Sequence, residues 1–341
     1  MSALARRLML IAVLTVAYVL PLTRIQIGFG NDYCSLYHAT RLLLAGQSPY
    51  GPQSSAYLAE KCVAVQGGAG FAYPMPFALL LAPLGWLPFF PAAFVWTLTG
   101  AFLAMLAFLL VDEWPPLLLL TVLFVPFFRA MSISQSTLVW FGVAMLMVWG
   151  VERRAGWLVG LCVAVLPWKP QAGLLFALAG AYWAWHNDRR ALGVAAVGIV
   201  GLLGLSFVVL PHWLPQWWGQ SRTYEAVVET HWWGWWALPM LLAGWRLPWW
   251  ARLGMLQFAL FPINDPYAAL PLMLAWISLG GWPSLAGAAL SWLYPLGIRY
   301  FPDYQWLTLI VPLIVFCLVW GWKPDGWRAW LRSQWTRWKG V

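Results

Sequence analysis

The sequence predicts an all-α polytopic membrane protein, and three observations lead there. Of its 341 residues 62% are hydrophobic and only 9% are charged, whereas a soluble domain carries about a quarter charged residues. Apolar runs recur from residue 8 to residue 322, each broken by charged residues or by Pro and Gly. The runs are continuous, not alternating. That excludes the strands of a membrane barrel and leaves helices, whose backbone polar groups pair within the segment.

Taken in order, about twelve spans fall at 8–23, 91–111, 116–130, 136–151, 155–168, 171–186, 191–210, 235–246, 253–263, 266–281, 283–298 and 305–322. Several are shorter than the ~20 residues of a clean crossing; those at 235–246 and 253–263 are the weakest. Arg6-Arg7 precede the first run and no small-x-small cleavage site follows it, so it reads as an uncleaved span with a cytoplasmic N-terminus. The stretch 74–88 is short and Pro-rich and reads as a dip into the outer interface. Counting it as a crossing would move Arg153-Arg154 and Arg189-Arg190 outside, against the positive-inside bias. This layout puts most of the net charge of +9 on the cytoplasmic side. It leaves two long outer loops, 24–90 and 211–234, the second with a short amphipathic helix at 220–231.

The whole chain, 1–341, is thus one integral-membrane domain. A first module occupies 8–210, a second outer loop and further spans occupy 211–322, and a basic, Trp-rich cytoplasmic tail occupies 323–341. The tail interleaves Lys323, Arg328, Arg332, Arg337 and Lys339 with five Trp residues. That pattern fits a helix lying on anionic lipid, or a tail that only fixes topology; it does not imply nucleic acid. Most of the 29 Trp residues belong at the membrane interfaces. Cys162 and Cys317 lie in apolar runs and read as core, whereas Cys34 and Cys62 share the first outer loop and can pair if that loop is outside. No cysteine or histidine spacing argues for a metal.

Chemistry concentrates at the predicted outer face. Asp32 directly follows the first span, where a carboxylate can act as a general base or can cap a helix starting near Tyr33. Arg129 and Lys169 stand against the positive-inside bias, each at the end of an apolar run beside Pro, Ser or Gln. A cation so placed has a reason in an anion such as a lipid phosphate, or in a carboxylate partner, Asp32 or Asp265. Arg41, Arg222 and Arg299 are weaker candidates of the same kind. Asp265 precedes Pro266 and Tyr267 and reads first as a cap, Asp303 as a loop residue, and His212 and His231 as substrate contacts or bystanders.

A set of motifs in order adds a resemblance. Asn31-Asp32-Tyr33, Tyr37, Ala39, Arg41, Leu44-Ala45-Gly46 and Pro49-Tyr50 are followed by Tyr73-Pro74-x-Pro76, Ala82-Pro83-Leu84, Leu87-Pro88, Ser134-Gln135 and Lys169-Pro170. Over about residues 8–190 this resembles the bacterial polyprenol-phosphate-mannose-dependent mannosyltransferases of the GT-C superfamily. Phe261-Pro262 and Pro266-Tyr267 resemble a later motif of that family, with Phe261 in place of its usual serine. The resemblance implies a GT-C-like helical bundle with short interfacial helices in the first outer loop and a catalytic module at 8–210. It implies Asp32 as catalytic base, and donor-phosphate contacts around Arg129, Gln135 and Lys169. Tyr37, Tyr73, Asp265, Tyr267, His212 and His231 join as candidate substrate contacts.

The resulting expectation is a multi-pass enzyme of the bacterial cytoplasmic (inner) membrane with its site on the extracytoplasmic side. It moves a sugar, foremost mannose, with inversion from polyprenyl phosphate to a hydroxyl of a lipid, glycan or protein acceptor. The lipid-linked sugar is a co-substrate; no cofactor or metal is expected. A transporter or flippase would use the same outer cations but needs mid-membrane charges and repeated halves, which the sequence lacks. A non-catalytic scaffold with Asp32 as a cap is the third reading.

Overall fold

The computed structural model describes residues 3–25, 29–62, 70–106, 123–227, 237–261, 265–300 and 305–320. The regular elements among these residues are all helical, with no strand. Helix α1 (Ala3–Ile25) leads to three short helices of the first predicted outer loop, α2 (Asn31–Leu44), α3 (Pro52–Lys61) and α4 (Met75–Leu81). A 3-10 turn at Ala82–Trp86 extends α4 before α5 (Phe89–Met105). The stretch 74–88 is therefore a broken element of about 18 Å at helical rise, too short to cross a bilayer unaided. Then follow α6 (Val125–Ser132), α7 (Thr137–Glu152), α8 (Gly156–Val165), α9 (Pro170–Asn187) and α10 (Arg189–Val209). The C-terminal part holds α11 (Trp213–Val227), α12 (Ala237–Ala243), α13 (Trp249–Leu260), a 3-10 turn Pro266–Leu272, α14 (Met273–Leu279), α15 (Gly281–Ser291), α16 (Leu293–Tyr300) and α17 (Leu307–Trp320).

Small residues set how closely the central helices approach. A Cβ on Gly142 of α7 would stand 2.3 Å from the Cβ of Leu103 on α5, and one on Gly160 of α8 would stand 2.4 Å from the Ala191 carbonyl oxygen on α10. Backbones touch at these points, as helix pairs in lipid require. The buried side chains run from Ile11 to Cys317 as one core.

Among the described residues one helix, α10, has both the length and the composition to cross a membrane, with a mean hydropathy of 2.5 over its apolar window. Val197, Val200 and Val208 of α10 are 75%, 67% and 79% exposed. Such a face is stable against lipid, not water. The predicted span at 8–23 lies on α1, which is 23 residues long, while several others appear as shorter apolar helices among the described residues; these helices do not establish a count of twelve spans. Prolines and glycines break the runs into 7–18-residue pieces, as at Pro170, Pro266 and Gly280.

One further expectation shifts, and the reading of the cysteines is met. The amphipathic helix placed at 220–231 begins earlier, at Trp213, because Pro215 sits in its first turn where its missing N–H costs nothing. Cys34 and Cys62 are bonded to one another and tie the first turn of α2 to the end of α3, while Cys162 and Cys317 are free and buried. The basic tail, Asp303 and His231 lie outside the described residues.

Candidate active site

Asp32 is set at the start of α2 by its neighbours on both sides. Gly30 has φ +80°, and a Cβ there would meet Phe89 at 2.9 Å, so glycine alone lets the chain enter α2 tightly against α5. The Asp32 amide donates to the Ile133 carbonyl at 3.1 Å, which fastens α2 to the turn between α6 and α7. The helix begins one residue before Asp32, and its carboxylate makes no capping bond. The capping alternative for Asp32 fails for that reason. Its Oδ2 instead accepts from Gln135 Nε2.

Gln135 is presented by the same α6–α7 turn. Ser134 takes φ +57°, unusual for a residue with a side chain, and the reversal is closed by Gln135 N donating to Ala130 O at 2.8 Å. Thr97 Oγ1 of α5 donates to the buried Ser134 Oγ at 2.8 Å and steadies the turn. Gln135 and Ser136 thereby point into the space between α2, α4 and α9.

Lys169 reaches that space from the opposite side. It sits between the 3-10 turn Leu166–Trp168 and Pro170, which opens α9 and keeps the residue before it out of the helical region, at φ −132° and ψ 81°. Gln257 of α13, fully buried, inserts into the first turn of α9. It donates to the carbonyls of Pro170 and Gln171 at 3.1 and 3.0 Å and accepts from Leu175 N at 3.0 Å. Lys169 is only 3% exposed. Its Nζ donates to Gln135 Oε1 at 2.9 Å, Ser136 Oγ at 2.6 Å and Tyr73 OH at 3.4 Å. It lies 5.3 Å from the Tyr73 ring and 6.0 Å from the Tyr267 ring, close enough for both faces to attract it. Tyr73 is itself held by a stack through Phe77 to Trp140, with centroids 4.3 and 4.5 Å apart.

The electrostatics follow from burial. Loss of water pushes the Asp32 carboxyl up to about 6, with Asp265 adding to the effect and Lys169 and Arg129 opposing it. The same loss pushes the Lys169 ammonium down to about 7, with Asp32 pulling it back. A base near neutrality thus stands beside a cation that readily gains from an anion.

The other cations have local partners. Arg129 pairs with Asp265, its Nε and Nη2 donating to the carboxylate at 3.0–3.4 Å. Asp265 also caps the turn at 266–272 by accepting from Tyr267 N at 3.2 Å, as its position before Pro266 implies. Arg41 donates to Gly85 O at 3.2 Å and braces the turn after α4. Arg222 lies over Trp218, and Arg299 over Tyr300, each at 5.5 Å. None of these three touches Asp32, Gln135 or Lys169. Tyr37 OH donates to Leu87 O at 3.0 Å, and its ring packs on Phe89, so it serves the α2–α5 seam. His212 is exposed between α10 and α11.

Three participants escaped sequence reasoning. Ser136 adjoins Gln135, Gln257 acts on α9 from a distance, and Tyr224 of α11 is near enough for its hydroxyl to feel the charge of Asp32. Trp217 and Gln220 anchor α11 over this side, donating to Ala72 O at 2.9 Å and accepting from Ser55 Oγ at 3.0 Å. A cavity of about 270 Å³ borders Asn31, beside Asp32, and is lined also by Phe29, Lys61 and the disulfide. His38 lies beside the two disulfide sulfurs; bonded to each other, they offer no thiolate for a metal.

The arrangement can remove a proton at Asp32 and hold an anion at Lys169. Compared with curated proteins and with solved structures, the chain matches none. The sequence profile of glycosyltransferase family 87 matches residues 71–337, a stretch that includes Tyr73, Arg129, Gln135, Lys169, Asp265 and Tyr267 and begins after Asp32. This disfavours the transporter reading. The chain belongs to glycosyltransferase family 87 and is a membrane glycosyltransferase.

Proposed function

We propose that the protein transfers a sugar, foremost mannose, from polyprenyl phosphate to an acceptor hydroxyl on the extracytoplasmic side of a bacterial cytoplasmic membrane. The observation that carries this reading is the pairing of a partly buried carboxylate, Asp32, with a buried ammonium, Lys169, bridged by Gln135. The acceptor oxygen attacks the anomeric carbon while its proton passes to Asp32. The bond from that carbon to the phosphate oxygen breaks on the opposite face. Its electron pair stays on the phosphate, which leaves with one more negative charge than the bound diester carried. Lys169 stabilises that added charge. Attack opposite the leaving group inverts the anomeric configuration. Tyr73 and Tyr267 flank the ammonium and offer ring faces to the sugar. The apolar face of α10 lies in lipid, where a polyprenyl tail is at home. Lys169 is the principal phosphate contact; Arg129 joins if the phosphate displaces Asp265. A lipid, glycan or protein can supply the hydroxyl.

The test incubates purified protein with radiolabelled polyprenyl-phosphate mannose and a membrane lipid extract. Label moves into a new product with the parent protein and not with Asp32→Asn. Transfer from a nucleotide sugar, with none from the lipid-linked donor, would overturn the proposal.

A further inference from the structure

We infer that Gln135 is a positioning residue whose amide holds the Asp32 carboxylate on one side and the Lys169 ammonium on the other, keeping base and cation apart. The inference rests on the reading of Asp32 as the general base. It replaces the direct phosphate contact that the family resemblance implies for Gln135.

The orientation of the amide follows from its neighbours. An ammonium only donates and a carboxylate only accepts. Gln135 Oε1 therefore faces Lys169 Nζ at 2.9 Å, and Nε2 faces Asp32. Ser136 Oγ also donates to Oε1 at 2.9 Å while accepting from Lys169 at 2.6 Å, which closes a three-membered ring of hydrogen bonds. The side chain is 4% exposed and its backbone is locked by the Ser134 reversal. Both polar ends of the amide are engaged.

A neutral amide in this position has a chemical consequence. In direct contact, ammonium and carboxylate would neutralise each other: the carboxylate would lose basicity and the cation would lose its pull on an anion. The Arg129–Asp265 pair, in contact at 3.0 Å, is that arrangement. Across Gln135, Asp32 keeps a hydrogen-bond donor that aims it, and Lys169 keeps a charge for the phosphate.

The test reads Asp32 directly and needs no donor. Dicyclohexylcarbodiimide reacts with protonated buried carboxyls, and peptide mass spectrometry of the full-length protein reports labelling at residue 32 against pH. Asp32→Asn, which removes the label, assigns the signal. In the parent the labelling falls through a midpoint near pH 6. Gln135→Met keeps length and removes the amide, so the midpoint rises by about one pH unit as the carboxylate loses its donor. Gln135→Glu keeps the shape, adds a charge and raises the midpoint further; it carries the test if Gln135→Met does not accumulate. A midpoint that stays with the parent while only thermal stability falls makes Gln135 a packing residue and overturns the inference. Sugar transfer retained by Asp32→Asn would instead remove the base assignment while leaving the labelling result intact, so the two failures are separable.

Discussion

Replacing Lys169 by methionine separates a functional from a structural cation. Methionine matches the length of the lysine stem and fills the same buried space without the charge. In the parent, burial holds the ammonium at about 7 against an unfolded value of 10.5. The folded state thus carries the cost of a desolvated cation, eased by three neutral acceptors. Removing the charge removes that cost, and Gln135 Oε1 keeps its bond from Ser136. Lys169→Met should therefore melt at the same temperature as the parent or higher. Donor binding moves the other way. A lost charge-assisted hydrogen bond costs about 1.5–3 kcal/mol, which is roughly 10–150-fold in affinity. Equilibrium binding of radiolabelled polyprenyl-phosphate mannose measures the second quantity and thermal unfolding in detergent the first. The pH dependence adds a signature. Between pH 7 and 10.5 the unfolded chain holds the lysine proton and the folded chain does not, so donor-free stability rises with pH across that window. Lys169→Met should lose this slope. A variant that melts lower while binding donor as tightly as the parent would refute the argument.

The remaining predictions use the same geometry. Since Asp32 must be ionised and Lys169 protonated, kcat/KM should peak between an acid limb near pH 6 and an alkaline limb near pH 7, with the alkaline limb of kcat higher because bound phosphate retains the lysine proton; a rate flat across both limbs would contradict it. Asp32→Asn should bind donor near-normally and lose transfer almost completely, and substantial turnover would send the base elsewhere. Gly142→Leu would force α5 from α7, because even a Cβ stands 2.3 Å from Leu103; a loss of at least about 1–3 kcal/mol is expected from overpacking, and an unchanged melting temperature would place the seam wrongly. Reducing the Cys34–Cys62 bond, which closes a separation of 28 residues, should cost about 3.6 kcal/mol in the loop-entropy view, read as lower thermal stability in reductant.

What the sequence makes visible is chemical contrast. Asp32 and Lys169 stand out because an ion beside a long apolar run needs a reason, and both reach Gln135 although 137 positions separate them. Tyr224 has no such contrast: it is one aromatic in a Trp-rich loop, and only the placement of α11 over Tyr73 brings it near Asp32. Gln257 acts through three backbone contacts on another helix, which no local pattern encodes. The capping alternative for Asp32 was reasonable from residue type. It fails because the left-handed Gly30 starts the helix a residue sooner and turns the carboxylate toward Gln135. The span count was least legible, since apolar runs do not say where Pro and Gly will cut a helix.

Arg129 and Lys169 look alike in the sequence, yet their surroundings differ in whether a carboxylate already neutralises them. Arg129 meets Asp265 in a partly exposed pair, and that pair joins α6 to the turn at 266–272. The same turn carries Tyr267 to within 6.0 Å of the Lys169 ammonium. Arg129 thus shapes the wall around Lys169 even if no phosphate reaches it. Lys169 has only neutral contacts and sees Asp32 across an amide. An arriving anion gains most where no counterion must first be displaced, which favours Lys169 over Arg129 as the phosphate seat. The other outer cations are engaged further away, by the Gly85 carbonyl and the rings of Trp218 and Tyr300. Position against the membrane bias identifies the candidates; the partner each finds in the fold decides which can serve a substrate.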